Sequence, residues 1–207
     1  MPALPPSPHR PSRADRVGLT IFIIAGFALT ALSAVLSIGR IIHLLGPSPK
    51  EIPVQFLDMP IEIPFGDNGE VLTATLELAR IEVTELPLAS LIAGVAGPLA
   101  TTLVTASVAI GCIALAISVM RGRIFSRRNT RLVAVTGGIG LLGFAFARLC
   151  DTMLANGAVA WATDRALDNA VFTVAPAPFL LAAFVLALLT TMFTVGERLQ
   201  RETEGLV

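Results

Sequence analysis

The sequence has 207 residues, of which 54% are hydrophobic and 14% are charged, whereas a soluble domain carries about 25% charged residues. With a mean hydropathy of +0.78, the composition excludes an ordinary soluble globule and a disordered chain. Because 15 Lys and Arg residues balance 15 Asp and Glu residues, it also excludes a strongly basic protein that binds nucleic acid directly. The sequence therefore predicts a multi-span membrane protein whose main contact is the lipid bilayer.

Four stretches are apolar enough to cross a hydrocarbon core about 30 Å thick, which takes roughly 20 residues. We predict spans at residues 17–45, 88–120, 132–152 and 173–196. The second is expected to start as an outer helical extension before Pro98, and the third must continue past Arg148 to be long enough. The predicted fold class is a mainly α membrane protein, a four-helix transmembrane bundle with a small antiparallel β unit inserted between spans 1 and 2.

The first span has two interpretations. Residues 1–16 are expected to form a disordered tail that includes Arg10, Arg13 and Arg16. A basic start before an apolar run is also typical of a secretory signal peptide, but the apolar part of a signal peptide is only roughly 7–15 residues long. The longer run in this chain favours a retained membrane anchor.

The distribution of arginine predicts the orientation of the spans. The loop at residues 121–131 contains five arginines and no acid, whereas acids outnumber bases in segments 46–87 and 153–172. Lys and Arg are enriched in cytoplasmic loops. The loop and both tails, residues 1–16 and 197–207, are therefore predicted to be cytoplasmic, and the two acidic segments extracytoplasmic.

The segment 46–87 is expected to form an antiparallel β unit of two or three strands. Residues 70–86 alternate between apolar and polar side chains, as a half-buried strand does. The alternation changes phase at Ala79 and Arg80, which predicts a bulge there. Residues 52–65 predict shorter edge strands, because three prolines interrupt them, and Asp67-Asn68-Gly69 has the composition of a turn.

The β unit is also acidic, with eight acids against Lys50 and Arg80. Carboxylates are calcium ligands, so a cation site is one interpretation. The stretch Asp67-Asn68-Gly69-Glu70 is too short for a calcium loop, which favours a solvated acidic face.

The basic loop supplies the candidate contact residues, which are Arg121, Arg123, Phe125, Ser126, Arg127, Arg128, Asn129 and Arg131. A basic segment next to a span can bind anionic lipid head groups or a cytoplasmic regulatory protein. It can also serve only to set the orientation of the chain, and we regard this as its main role. Ser126 is predicted to cap the third helix, with Phe125 packing beside it.

Ionisable residues near the outer span ends form a second candidate site. Arg148 and Asp151 are three residues apart, so on a helix they share a face and are predicted to form an intramembrane pair. A ligand-linked role is the alternative to a structural pair. Arg40 and His43 are expected to anchor the end of span 1, and Trp161 suggests that segment 153–172 is an outer loop or an interfacial helix.

The sequence contains no catalytic, cofactor or metal motif that we can assign. Cys112 and Cys150 are placed at different depths of the predicted spans, so they are not expected to form a disulfide or a metal site. We therefore predict that the chain is not an enzyme and has no cofactor.

Two segments resemble a known family. Residues 121–129, Arg-Gly-Arg-Ile-Phe-Ser-Arg-Arg-Asn, match the pattern G-x-x-F-S-x-x-N, and residues 193–207 resemble a common chain end. Both are similar to the bacterial four-span membrane proteins known as domain of unknown function 2975. The resemblance implies a protein of the bacterial inner membrane. It also suggests pairing with a regulator, because genes of this family often neighbour one for a helix-turn-helix protein.

Two functions are compatible with these features. The first is a non-enzymatic membrane sensor or regulatory partner, with an acidic outer unit and a basic cytoplasmic loop. The alternative is a small transporter or channel subunit. Because four spans are few and their polar residues are mostly hydroxyls, this alternative requires a homo-oligomer.

Overall fold

The computed structural model describes residues 12–65, 70–167, 171 and 176–204. In chain order the elements are α1 (Arg13–Leu45), β1 (Lys50–Phe65), β2 (Glu70–Val83), α2 (Leu88–Met120), α3 (Arg127–Ala162) and α4 (Pro176–Glu204). The sequence prediction of a mainly helical chain with a small antiparallel sheet between its first two long helices is confirmed. The predicted turn Asp67-Asn68-Gly69 and most of the N-terminal tail lie outside the described residues.

All four helices are long and apolar enough to cross a membrane. The most apolar window of each has a mean hydropathy between 1.8 and 2.4, and between 0% and 11% of that window is buried within the protein. Large apolar side chains such as Phe27, Leu103, Leu142 and Phe184 are therefore exposed along the helices. A monomeric soluble protein rarely exposes apolar area on this scale, so a surface of this kind marks contact with a membrane or another protein.

The first helix begins inside the predicted tail, because a local capping structure starts it at Arg13. The backbone N–H of Ser12 donates to Asp15 Oδ2 at 2.8 Å. In return, the N–H of Asp15 donates to Ser12 Oγ at 3.1 Å. This reciprocal arrangement satisfies N–H groups that the first helical turn leaves without an intrahelical partner.

The second helix is continuous through Pro98, so the predicted outer extension and the rest of the span form one element. The third helix continues to Ala162 through residues that we predicted as an outer loop or interfacial helix. The reason is packing, since Leu154, Ala158 and Val159 belong to a buried apolar cluster. The fourth helix likewise continues past residue 196 to Glu204.

The chain forms two compact units. The helical unit lies within residues 1–35, 101–144 and 175–207, and the sheet unit within residues 36–100 and 145–174. In the helical unit, small residues allow close helix contacts. Gly143 of α3 lies against Val104 of α2, and Gly137 lies against Leu186 of α4, with no room for a Cβ at either glycine.

The sheet unit contains a two-stranded antiparallel ribbon whose register changes once. Pairing runs from Lys50↔Val83 to Phe65↔Glu70, with an irregularity between Gln55 and Met59. Between the pairs Gln55↔Leu78 and Met59↔Leu76, β1 advances four residues and β2 only two. Asp58 in this bulge has a left-handed φ of 44°.

The bulge corrects two predictions about the β unit. The register is continuous through Ala79 and Arg80, so the extra residues of the bulge belong to β1 and not to β2. Prolines do not divide β1, which is one strand of 16 residues. Each strand of a two-stranded sheet has one open edge, where a residue without an N–H removes no ladder hydrogen bond.

Only the first half of the ribbon is part of the core of the sheet unit. Ile52, Val54 and Val83 are buried together with Leu44 of α1 and Leu154 of α3, among others. Beyond the bulge the apolar side chains are more exposed, for example Ile63, Val71 and Leu72 at 42%, 58% and 55%.

Candidate functional site

The basic loop has a defined backbone conformation that starts at the end of α2. Gly122 has a φ of 76°, a value that residues with a Cβ rarely adopt. Its N–H donates to the carbonyl of Val119 at 2.9 Å, and the N–H of Arg123 donates to the carbonyl of Ser118 at 3.2 Å. This pair of hydrogen bonds is the Schellman arrangement, which satisfies the last carbonyls of the helix.

Two polar side chains connect the loop to the first turn of α3. Ser126 Oγ accepts a hydrogen bond from the N–H of Asn129 at 3.3 Å, which is the cap that the sequence predicts. Asn129 is fully buried, and its Nδ2 donates to the carbonyls of Arg123 and Ile124. Asn129 therefore ties the backbone of the loop to the helix that follows it.

Phe125 packs against α4. Its ring lies edge to face with the ring of Phe193, with 5.8 Å between the centroids and an interplanar angle of 62°. The same ring contacts Gly196, where a Cβ would have no room. These contacts hold the loop against the fourth helix of the helical unit.

Glu197 is the ionic centre of this contact. Its carboxylate accepts hydrogen bonds from Arg127 Nε at 3.2 Å and from Thr130 Oγ1 at 3.2 Å, and it also pairs with Arg201. The side chain of Glu197 is only 14% exposed. We call the contact set of Phe125, Asn129, Arg127, Phe193, Gly196 and Glu197 the loop–α4 junction.

The prediction from sequence did not include Glu197, because residues 197–207 were assigned to a tail. The sequence did contain a sign that the helix continues, since Glu197 and Arg201 are spaced i,i+4 and can pair on a helix. Of the eight predicted contact residues, Phe125, Ser126, Arg127 and Asn129 take part in the junction or its cap. The other four, Arg121, Arg123, Arg128 and Arg131, are exposed, and we call them the exposed arginines.

An apolar groove of about 740 Å³ runs beside the loop. Its lining includes Ile124, Phe125, Met192, Val195 and Leu199. The loop thus combines an apolar groove with exposed positive charge, which can contact an amphipathic acidic segment or an anionic lipid.

A second site, which we call the arginine cavity, lies in the sheet unit and has a volume of about 240 Å³. Its polar lining consists of Arg40, Gln55, Arg148, Asp151, Thr152 and Asn156. The apolar lining comes from both strands and from α3, and includes Pro53, Leu78 and Leu154.

The structure pairs the predicted intramembrane carboxylate with a different helix. Arg40 Nη2 of α1 donates to Asp151 Oδ1 at 2.7 Å, and the two side chains are 52% and 28% exposed. The predicted partner, Arg148, lies at the same cavity. Arg40 was predicted as an anchor only, and Gln55 and Asn156 were not singled out at all, because nothing local in the sequence connects them.

Metal and disulfide chemistry find no support in the described part of the chain. No group of three or more His, Cys, Asp or Glu side chains that could hold a metal ion occurs among those residues. Both cysteines are free thiols.

Neither the family models, the curated proteins nor the solved structures contain a match to this chain. The class of protein is therefore defined by the structure itself. It is a mostly helical chain whose four candidate membrane spans suggest a multi-pass membrane protein.

Proposed function

We propose that the chain is a multi-pass protein of the bacterial inner membrane that acts as a non-enzymatic sensor or regulatory partner. Both termini and the basic loop are cytoplasmic in this proposal, and the ribbon is extracytoplasmic. The excess of arginine in the loop and the tails supports this orientation. Exposed apolar side chains along all four helices support insertion into lipid.

The loop–α4 junction is the observation that carries the proposed function. A loop that served only to orient the spans would need positive charge but no fixed shape. Here, Asn129 and Phe125 hold the loop backbone, while the exposed arginines remain available beside an apolar groove. A preorganised surface loses less conformational entropy on binding, so it suits a cytoplasmic regulatory protein with an acidic, amphipathic segment.

The two segments that resemble the family of domain of unknown function 2975 meet in this junction. Phe125 and Arg127 come from the first segment, and Phe193 and Glu197 from the second. We propose membership of that family on the resemblance of these two segments in sequence.

The partner can be tested by crosslinking in the native membrane. We expect Arg123→Gln with Arg128→Gln to reduce recovery of a cytoplasmic partner at least tenfold, because rim charges steer and orient association. The matched control is Arg13→Gln with Arg16→Gln, which removes the same charge from exposed positions of α1. The measurement is quantitative mass spectrometry of crosslinked material, normalised to inserted protein.

Two results would contradict the proposal. Unchanged recovery with the loop variant would show that the exposed arginines bind no partner. Equal losses of partner recovery in both double variants would show that the partner responds to positive charge in general and not to the loop. Solute or ion flux by the purified protein in liposomes would instead support the transporter or channel alternative.

A further inference from the structure

We propose that the arginine cavity of the sheet unit binds a small organic carboxylate, which contacts the guanidinium groups of Arg40 and Arg148. This inference goes beyond the proposed function and does not depend on a cytoplasmic partner. It concerns residues of α1, β1 and α3 that lie far apart in the sequence and together line one cavity.

The charge of the cavity selects an anion. Arg40 and Arg148 contribute two positive charges and Asp151 contributes one negative charge, so the lining has a net charge of +1. This excess remains whatever hydrogen bonds the three side chains make with one another. A single carboxylate neutralises it, and the planar guanidinium fork matches carboxylate oxygens in two-point contacts.

The other polar groups select a ligand with further hydrogen-bonding atoms. Gln55, Thr152 and Asn156 add amide and hydroxyl groups to the lining. The amide of Asn156 is oriented by its hydrogen bond to the carbonyl of Val171 at 3.0 Å. These groups give a hydroxylated or dicarboxylic acid further polar side chains to contact, which a purely apolar ligand would not use.

The size of the cavity favours a small ligand. Its volume is about 240 Å³. Sites for drug-sized ligands are larger, at roughly 300–1,000 Å³. The volume therefore suits a short-chain acid better than a nucleotide.

The walls of the cavity are held in place by the fold. Asp151 fixes the Arg40 guanidinium through the 2.7 Å contact. Leu154, a lining residue, belongs to the buried cluster that includes Ile52 and Val54 of the ribbon. Because the core of the sheet unit positions both the strand and the helix, the charged groups are organised before a ligand arrives.

The experiment uses the full chain in nanodiscs of zwitterionic phosphatidylcholine and isothermal titration calorimetry with lactate and succinate. We expect saturable binding of at least one acid. Arg148→Gln should weaken that binding at least tenfold, and Arg148→Lys should weaken it less, because it retains the charge. The matched control is Arg80→Gln, since Arg80 is an exposed arginine of the same unit that pairs with Glu51 outside the cavity.

Asp151→Asn separates ligand binding from a structural role. The variant raises the net charge of the cavity to +2, and the asparagine oxygen can still accept a hydrogen bond from Arg40, so we expect it to bind the acid more tightly. If the Arg40–Asp151 pair were purely structural, the variant would lower the melting temperature without tightening binding. Melting temperatures of all variants identify any that fail to fold, and Arg148→Lys and Asp151→Asn then decide the question.

A second arm distinguishes a soluble acid from a lipid head group. Nanodiscs that contain phosphatidylglycerol should leave acid binding unchanged if the ligand is a soluble carboxylate, and inorganic phosphate should bind weakly. Loss of acid binding in the presence of the anionic lipid would overturn the proposal in favour of a lipid site. It would also be overturned if neither acid binds in phosphatidylcholine, or if Arg148→Gln and Arg80→Gln weaken binding equally.

Discussion

At the residue scale, the Glu197 carboxylate of the helical unit is contacted by several donor side chains. The carboxylate accepts hydrogen bonds from Arg127 and Thr130 of α3, and it pairs with Arg201 of α4. Because its side chain is mostly buried, loss of its charge would weaken hydrogen bonds that a charged acceptor strengthens, which costs more than loss of an exposed ion pair.

We therefore expect Glu197→Gln to destabilise the protein by about 1–3 kcal/mol. The control Glu202→Gln changes an exposed residue of the same helix and should change stability by less than about 0.5 kcal/mol. Thermal unfolding in detergent, followed by loss of helical circular dichroism, measures the difference. Equal melting temperatures for the two variants would show that Glu197 does not hold the junction.

The residues of both candidate sites could be predicted only in part. Ser126 and its cap follow from local sequence, because an N-cap depends on positions three residues apart. Asp151 was also recognised as a candidate, but its contact with Arg40 was not. Arg40 is 111 residues from Asp151 in the sequence, and no local pattern connects residues at that separation.

At the element scale, the ribbon has two different halves. Before the bulge Ile52 and Val54 lie in the core of the sheet unit, whereas the far end of the ribbon is exposed, for example at Leu72. The bulge adds two residues to β1 and none to β2, so Ile52 and Val54 pair with Ile81 and Ala79 before it, and Met59 and Ile61 pair with Leu76 and Ala74 after it.

This difference predicts a contrast between two truncations. Ile52→Ala removes a side chain that is 3% exposed and should destabilise the sheet unit by about 2–4 kcal/mol. Leu72→Ala removes one that is 55% exposed and should cost less than about 1 kcal/mol. Limited proteolysis of the ribbon measures both, with faster cleavage expected for Ile52→Ala alone. If Leu72→Ala were cleaved as fast, the outer half of the ribbon would have to be packed against something.

Helix type was easier to predict from the sequence than helix ends. A long apolar stretch is sufficient evidence for a helix, but the end of α3 depends on the packing of Leu154 and Ala158 against the ribbon. The same holds for α4, where Glu197 contacts Arg127 across 70 residues of sequence. An acidic residue after an apolar stretch, such as Glu197, is typical of a span end. For this reason the sequence did not predict that α4 continues past residue 196.

At the scale of the whole molecule, the proposed orientation places the ribbon and the basic loop on opposite sides of the membrane. The charges that sum to zero over the chain are unevenly distributed along it, with acids concentrated in segment 46–87 and arginines in segment 121–131. This separation has a direct consequence for chemical labelling.

We expect a membrane-impermeant maleimide to label Glu62→Cys but not Arg123→Cys in intact bacterial spheroplasts. Both substitutions are made in a background with Cys112→Ser and Cys150→Ser, and both positions are exposed. Disruption of the membrane should make both cysteines reactive, which serves as the control for accessibility. Labelling of Arg123→Cys in intact spheroplasts would contradict the proposed orientation.

The sequence by itself determined the class of structure, namely four long apolar helices and an acidic β segment between the first two. It could do so because the length of an apolar stretch and a period of two residues are local properties of the chain. The tertiary structure alone decided which residues meet, as in the Arg40–Asp151 pair, the junction at Glu197 and the bulge in β1. The physical reason is that a side chain facing lipid and one facing another helix are both apolar, so hydropathy does not identify the partner of either.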